Sequence, residues 1–259
     1  MSTDRLSQLA FDVIDAYQHL KIGAAETGTP YFNNKTTRAR MTFRVYIGKG
    51  SPRDVHEELQ TVMVKHHIAK DATTGEMLKK LLVDENIGID CSAYAYYILD
   101  AESRYRGLGH INRRLKFVRS NGPLGRMRAY LRPVENCDVR TFMNDANSRP
   151  IKLVDAEPGD FVSMTDGPEG PERDHILIVS GVQRTESGMT KIDYTHAVAY
   201  PEDGRFNTGI KFGTIEIASP DKPLTEQSWS ESGSSDKAET ILSRARKSKT
   251  DLRRLKWFD

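Results

Sequence analysis

A cysteine stands where a loop turns into a helix, in the stretch Ile87-Gly88-Ile89-Asp90-Cys91-Ser92-Ala93-Tyr94. The segment that follows, residues 91–102, contains no Gly or Pro and places apolar side chains at helical spacing. Asp90 is a suitable N-cap for that helix. Because free amide groups and the dipole at a helix N-terminus favour a thiolate, Cys91 is a candidate nucleophile. On this segment alone, a buried cysteine that packs as a small apolar residue stays an equal alternative.

The length and the cysteine content restrict the class of protein. A chain of 259 residues can form one large domain or two small ones. Two cysteines, Cys91 and Cys137, are too few for a disulfide framework and suit a reducing compartment or a catalytic thiol. No signal-type apolar segment opens the chain, and the longest apolar run is far shorter than the roughly 20 residues of a membrane span. We therefore expect a cytoplasmic protein without a membrane span, with non-classical release left open.

Basic residues are unevenly distributed, although the net charge is only +2. Residues 104–132 contain nine Lys or Arg and no Asp or Glu, and a second basic cluster lies at 244–256. Each cluster fits either a solvated face or an anionic partner. A nucleic acid is the less favoured partner, because the aromatic residues that would stack on bases are sparse.

The first half of the chain predicts helices and the second half predicts a sheet. The predicted helices cover 4–22, 51–69, 77–83 and 91–102, with one strand at 41–47. After residue 150, β-branched runs predict an antiparallel meander with strands at 161–164, 175–182, 191–199 and 210–217. The segment 219–239 is predicted to be a linker, and 240–259 a basic helix or tail. The main domain is accordingly expected to cover residues 1–218.

Two histidines lie on neighbouring predicted strands. If 185–188 forms a hairpin turn, Leu177 lies opposite His196 and His175 lies opposite Val198. Both imidazoles then face the same side of the sheet, with Cα atoms roughly 7 to 8 Å apart, whereas an odd-length turn would separate them.

Each histidine also has an ordinary explanation. His175 could be a residue at a strand end, and His196 a hydrogen-bonded core residue. A thiol at a helix start, followed by two histidines on one face of a sheet, instead predicts a Cys-His-polar triad. A zinc site built from the two cysteines and two histidines is disfavoured, because the paired ligand spacing of such sites is missing. No metal or other cofactor is therefore expected.

Four stretches of the chain resemble the signatures of the NlpC-type cysteine peptidases, which belong to the papain-like superfamily together with the CHAP amidases. The stretches are Asp90-Cys91-Ser92-Ala93, Glu157-Pro158-Gly159-Asp160-Phe161-Val162, Asp174-His175-Ile176-Leu177-Ile178-Val179 and Tyr194-Thr195-His196-Ala197. The resemblance covers mainly residues 86–218. It departs from the family at Ala93, where the usual residue is Gly.

The resemblance implies an α+β papain-like fold, in which a nucleophile helix packs on a four- to six-stranded antiparallel sheet with inserted helices. The core would be 86–218, with an insertion at about 32–86. In this fold Cys91 would be the nucleophile, His175 the base and His196 the residue that orients the base. The implied substrates are peptidoglycan-type peptides with γ-D-glutamyl or similar amide bonds.

The same resemblance suggests residues that contact the substrate. The element Gly28-Thr29-Pro30-Tyr31 is similar to a family motif whose tyrosine lies near the nucleophile, although here it precedes Cys91 by 60 positions. The predicted substrate-binding residues are Tyr31, Asp90, Ser92, Arg113 and Arg114, the last two because an arginine-rich loop can receive carboxylates.

Two other functions stay open. An acyltransferase or transamidase would use the same acyl-thiol intermediate and pass the acyl group to an amine or alcohol. A non-catalytic protein could instead bind a polyanion through the arginine-rich stretch and the basic tail, and its binding would depend steeply on salt. The oligomeric state is not predicted.

Overall fold

The computed structural model describes residues 2–33, 44–117, 122–166, 174–186, 188–231 and 235–259. These residues form a mixed α/β fold around an antiparallel sheet of eight strands, larger than the four- to six-stranded sheet expected. The strands of this sheet are β1 (Ser2–Arg5), β4 (Ser148–Pro150), β5 (Phe161–Thr165), β6 (His175–Thr185), β7 (Gly188–Val198), β8 (Gly209–Glu216), β9 (Ser228–Glu231) and β10 (Lys249–Leu255). Their order in the sheet is β4-β10-β5-β6-β7-β8-β9, and β1 pairs with the second half of β6. Strands β2 (Leu20–Ile22) and β3 (Ala25–Thr27) form a separate hairpin.

Eight α-helices lie within the described residues. They are α1 (Gln8–Gln18), α2 (Pro52–Lys65), α3 (Gly75–Asp84), α4 (Cys91–Tyr105), α5 (Gly122–Leu131), α6 (Pro133–Asn136), α7 (Val139–Met143) and α8 (Ser235–Lys247). Twelve of the 15 residues of α4 are buried, so α4 is an interior helix that packs against α1 on one side and against β6 and β7 on the other. The Tyr94 hydroxyl lies 2.9 Å from Thr195 Oγ1 and ties α4 to β7.

Both faces of the sheet are buried, which explains the continuous apolar run in β6. Ile176 and Ile178 belong to the hydrophobic core that contains α4. Leu177 and Val179 belong to a second core, on the opposite face, to which α8 contributes Ile241 and other side chains. Successive residues of a strand point to opposite faces, so each core receives alternate residues of β6.

Several predictions are confirmed. The four predicted strands of the meander correspond to β5, β6, β7 and β8, which pair consecutively and antiparallel. The helices predicted at 51–69, 77–83 and 91–102 correspond to α2, α3 and α4. Helix α2 begins with a capping box between Ser51 and Asp54, as its sequence suggests. Within the segment expected to be an insertion, at about 32–86, α2 and α3 contact the β2-β3 hairpin.

The amino-terminal part differs from its prediction. The helix expected over 4–22 is shorter, because Ser7 caps it at its start and the flanking residues join β1 and β2. The strand expected at 41–47 is wrong for Arg44–Ile47, which form a 3-10 turn. Residues 41–43 lie outside the described residues.

The carboxy-terminal part differs most. The segment 219–239, expected to be a linker, contains β9 and the start of α8, and the tail 240–259 contains the rest of α8 and the sheet strand β10. Trp229 is buried on β9, and Leu252 on β10. Arg253 and Arg254 are also buried and pair with Asp145 and Asp160, so neither belongs to a basic surface.

Candidate active site

Backbone pairing on both sides holds the residues that precede Cys91. Ile89 forms a parallel bridge to Tyr31 and an antiparallel bridge to Lys49. The Asp90 N–H donates to the Gly48 carbonyl at 2.9 Å. A Cβ atom on Gly48 would lie 2.2 Å from the Phe32 carbonyl oxygen, so only glycine permits this close approach. The position of Cys91 is therefore fixed by main-chain contacts before helix α4 begins.

Asp90 caps helix α4, as predicted. Its Oδ1 accepts from the Ala93 N–H at 2.7 Å. Lys49 Nζ lies 2.9 Å from Asp90 Oδ2 and donates to Ser92 Oγ at 2.7 Å and to the Cys137 carbonyl at 2.9 Å. We call Lys49, Asp90, Ser92 and Cys137 the lysine cluster.

The lysine cluster corrects two predicted roles. Asp90 and Ser92, expected to contact the substrate, are only 6% and 5% exposed. Their side chains are hydrogen-bonded to each other, and both contact the ammonium group of Lys49. A buried ammonium group requires an anion and oxygen acceptors around it. Both residues therefore stabilise the N-terminus of α4. Lys49 lies 41 positions before Asp90 in the sequence, and the sequence analysis did not predict its role.

The thiol of Cys91 lies against the backbone next to His175. Its Sγ is 3.9 Å from the Asp174 carbonyl oxygen, and the Ile176 N–H acts to lower the pKa of the thiol. Arg140 holds Asp174 in turn, with its Nε 2.6 Å from the carboxylate. Cys91 is 5% exposed and His175 is 2% exposed, so both side chains are enclosed.

The two histidines share one face of the sheet, as their spacing predicts. Thr185 pairs with Gly188 across a two-residue turn, and Ile178 pairs with Thr195 further along the hairpin. Two register shifts of one residue lie between these two pairs. They have opposite directions, so the pairs at the two ends of the hairpin have the same register. The expected register at the histidines is therefore restored. His175 Nε2 lies 2.7 Å from His196 Nδ1.

A residue that the sequence did not suggest completes the chain of contacts. His196 Nε2 lies 3.0 Å from Oε2 of Glu231, whose side chain is fully buried on β9. Glu231 falls in the segment expected to be a linker. The alternation Ser228-Trp229-Ser230-Glu231 was the one available signal of a strand, and it is too short to stand out in a serine-rich segment. We call His175, His196 and Glu231 the histidine cluster.

Burial keeps both reactive groups uncharged. Burial, together with Asp90, raises the pKa of the Cys91 thiol to about 11, against the opposing effect of Arg244, Lys49 and the Ile176 N–H. Burial, reinforced by Arg244 and His196, lowers the pKa of His175 well below its ordinary value. The expectation that the helix N-terminus favours a thiolate is therefore wrong for this enclosed site, because desolvation of the sulfur is the larger effect.

Of the remaining predicted residues, one lies near Cys91 and two lie far from it. Tyr31 lies near the start of α4, because it pairs with Ile89, two residues before Cys91. Arg113 and Arg114 are exposed at a turn that Asp100 anchors through the Ile111 N–H at 2.9 Å. Since Asp100 follows Cys91 by nine residues, this turn lies about 13 Å further along the helix axis. The structure does not bring these two arginines to the site.

Comparisons with family models, with curated proteins and with solved structures returned no match for this chain. In the described part of the chain, no helix has the length and apolar character needed to cross a membrane. Among the same residues, no group of three or more His, Cys, Asp or Glu side chains is arranged to hold a metal ion. The site geometry is therefore the basis for the function proposed below.

Proposed function

We propose that this protein is a papain-like cysteine hydrolase of the NlpC type that cleaves an amide bond through an acyl-thiol intermediate. One observation carries the proposal. The thiol at the first residue of α4 lies 3.9 Å from the carbonyl oxygen of Asp174, the residue before His175, and His175 Nε2 lies 2.7 Å from His196 Nδ1. The candidate nucleophile is thus next to the residue that carries the candidate base, and that base contacts its orienting residue, an arrangement that suits covalent catalysis.

The reaction begins with general-base catalysis, because the thiol and the imidazole are both neutral. As Cys91 Sγ attacks the carbonyl carbon, its proton passes to His175 and the C–S bond forms. Collapse of the tetrahedral intermediate breaks the C–N bond, and His175 returns the proton to the leaving amine. Water then attacks the thioester with His175 as base, and the acid is released as the thiol regains its proton.

The start of α4 supplies donors for the oxyanion. The first four N–H groups of a helix have no partner within the helix. Counted from the N-cap of α4, these are the N–H groups of Asp90, Cys91, Ser92 and Ala93; the first donates to the Gly48 carbonyl and the last to the Asp90 side chain. The N–H groups of Cys91 and Ser92 are the two that remain, and they lie next to the sulfur. They would stabilise negative charge on the attacked oxygen.

The proposed substrate class rests on the resemblance to the NlpC peptidases. These substrates are short peptidoglycan-type peptides with a γ-D-glutamyl or similar linkage, in the cytoplasm as imported wall fragments or outside after non-classical release. Tyr31, which pairs with Ile89 two residues before Cys91, is the proposed contact for the substrate backbone. The lysine cluster has no part in substrate binding.

Turnover of a γ-D-glutamyl dipeptide tests the proposal, with release of the free amine as the signal. The Cys91→Ala variant should lose turnover and keep its fold, because the nucleophile is gone. The matched control is Cys137→Ala, which removes the second buried thiol and should retain activity. Undiminished activity of Cys91→Ala would place the chemistry elsewhere.

A second arm separates hydrolysis from acyl transfer. A primary amine added to the same assay competes with water for the acyl-thiol. Free acid as the main product supports the hydrolase, and an amide of the added amine supports the transferase. Both outcomes require Cys91, so they refine the proposal without replacing its nucleophile.

A further inference from the structure

The carboxylate of Glu231 is buried beyond the reach of substrate and has an unusual set of contacts. Its Oε2 lies 3.0 Å from His196 Nε2, 3.0 Å from the Tyr200 hydroxyl and 3.4 Å from the Tyr194 hydroxyl. Its Oε1 is buried without a hydrogen-bond partner among the described residues. A buried polar atom left in this state costs stability, which suggests that the side chain serves a purpose other than folding.

The tyrosines settle the direction of these hydrogen bonds. Burial and the neighbouring carboxylate raise the phenol pKa of both Tyr194 and Tyr200, so each keeps its proton and donates. Oε2 therefore accepts from both hydroxyls, and in the ionised carboxylate it has no proton to donate to His196. His196 Nε2 must then donate its N–H to Glu231.

The donor and acceptor roles at Glu231 determine those at His196 and, through His196, those at His175. A neutral imidazole carries one N–H, so His196 with its proton on Nε2 must accept at Nδ1. The partner at that atom, 2.7 Å away, is His175 Nε2, which must donate. Neutral His175 then has its lone pair on Nδ1. Since Nε2 is occupied by His196, Nδ1 is the nitrogen that remains for the Cys91 thiol.

We propose that Glu231 is a positioning residue that fixes the proton of His175 on Nε2 and so leaves Nδ1 as the base for Cys91. The tautomer assignment stands on the contacts of Glu231 alone, whereas its catalytic consequence rests on the function proposed above. Without an acceptor at position 231, His196 can reverse its tautomer. His175 would then carry its proton on Nδ1 and could not accept one from the thiol.

Nitrogen NMR of histidine-labelled protein at neutral pH tests the assignment in the wild type and needs no substrate. We expect His175 to show a protonated Nε2 and an unprotonated Nδ1. A protonated Nδ1 in the neutral wild-type ring would overturn the proposal, whatever the enzyme does.

Two variants of Glu231 then test the cause. Glu231→Met removes the acceptor, and we expect a mixture of His175 tautomers and a fall in kcat of about 2- to 10-fold, in proportion to the fraction with an unprotonated Nδ1, with little change in KM. Glu231→Gln keeps an oxygen acceptor, and we expect it to recover the single tautomer and part of the rate. A Glu231→Met protein with the wild-type tautomer and the wild-type kcat would refute the role.

The matched control is Glu102→Met, which removes a second buried glutamate, one that binds the Ser7 N–H and Arg106. It should lower stability and leave the His175 tautomer unchanged, so a general loss of packing is distinguishable from loss of the acceptor. The two proposals can also fail separately. Expected tautomers without turnover would contradict the hydrolase alone, and turnover with unchanged tautomers in Glu231→Met would contradict the positioning role alone.

Discussion

Two buried polar clusters flank the start of helix α4, and they differ in how charge is handled. In the lysine cluster a cation and an anion are in direct contact, with Lys49 Nζ 2.9 Å from Asp90. Burial acts to lower the pKa of Lys49, but Asp90, together with Cys137 and Cys91, outweighs burial and the pKa is raised. In the histidine cluster, burial lowers the pKa of His175, and Arg244 and His196 act in the same direction.

This difference indicates that the lysine cluster has a structural role and that the histidine cluster is suited to proton transfer. A directly paired charge is held in one protonation state and fixes geometry, which suits the cap of a helix. A neutral imidazole that contacts the carboxylate only through a second imidazole can gain and lose a proton, which suits a base. Placing both clusters around Cys91 keeps the thiol still while its proton remains exchangeable.

The largest expected effect is a loss of stability when the lysine cluster is disrupted. Lys49→Met leaves the Asp90 carboxylate buried without its cation, and we expect unfolding in urea to require about 3–5 kcal/mol less free energy. The matched control is Lys80→Met, which removes the exposed i,i+4 pair with Asp84 and should cost under about 0.5 kcal/mol. Equal small losses in the two variants would show that the lysine cluster does not hold the helix start.

A smaller effect sharpens the description of His175 as a neutral buried base. Its pKa is lower folded than unfolded, so the unfolded chain binds more protons below pH about 6.5 and stability falls as the pH falls through that value. We expect this residue to contribute a slope of about 1.4 kcal/mol per pH unit between pH 6 and 5.

Chemical denaturation of wild type and His175→Gln from pH 7 to 5 measures that slope. The stability of the two proteins should converge on acidification, because the variant lacks the buried imidazole. Parallel curves would mean that His175 is protonated as readily in the folded protein as in the unfolded chain.

The smallest expected effect concerns the arginines. Replacing Arg113 and Arg114 by Ala should leave KM for the dipeptide unchanged and alter stability by under about 0.5 kcal/mol, since both are exposed at the far end of α4. Steady-state kinetics provides the check. A several-fold rise in KM would return these residues to the substrate site.

Local signals predicted much of the site. The cap at Asp90, the alternation in β6 and β7 and the even hairpin turn are encoded by neighbouring residues, and they located Cys91, His175 and His196. The role of Asp90 and Ser92 depends on Lys49, and that of His196 on Glu231, both distant in sequence. The protonation state of Cys91 depends on burial, which no local pattern reports. Strand β10 was missed because its buried arginines read as a basic surface.

The most direct test of Cys91 as the nucleophile is the mass of the intact protein, quenched in acid during turnover of an activated ester of an N-acyl γ-D-glutamyl peptide. We expect a mass increase equal to the acyl group, mapped to the Cys91 peptide and released by hydroxylamine. It should be absent in Cys91→Ala and present in Cys137→Ala. An adduct that persists in Cys91→Ala, or turnover that leaves Cys91 unmodified in every quenched sample, would contradict the mechanism.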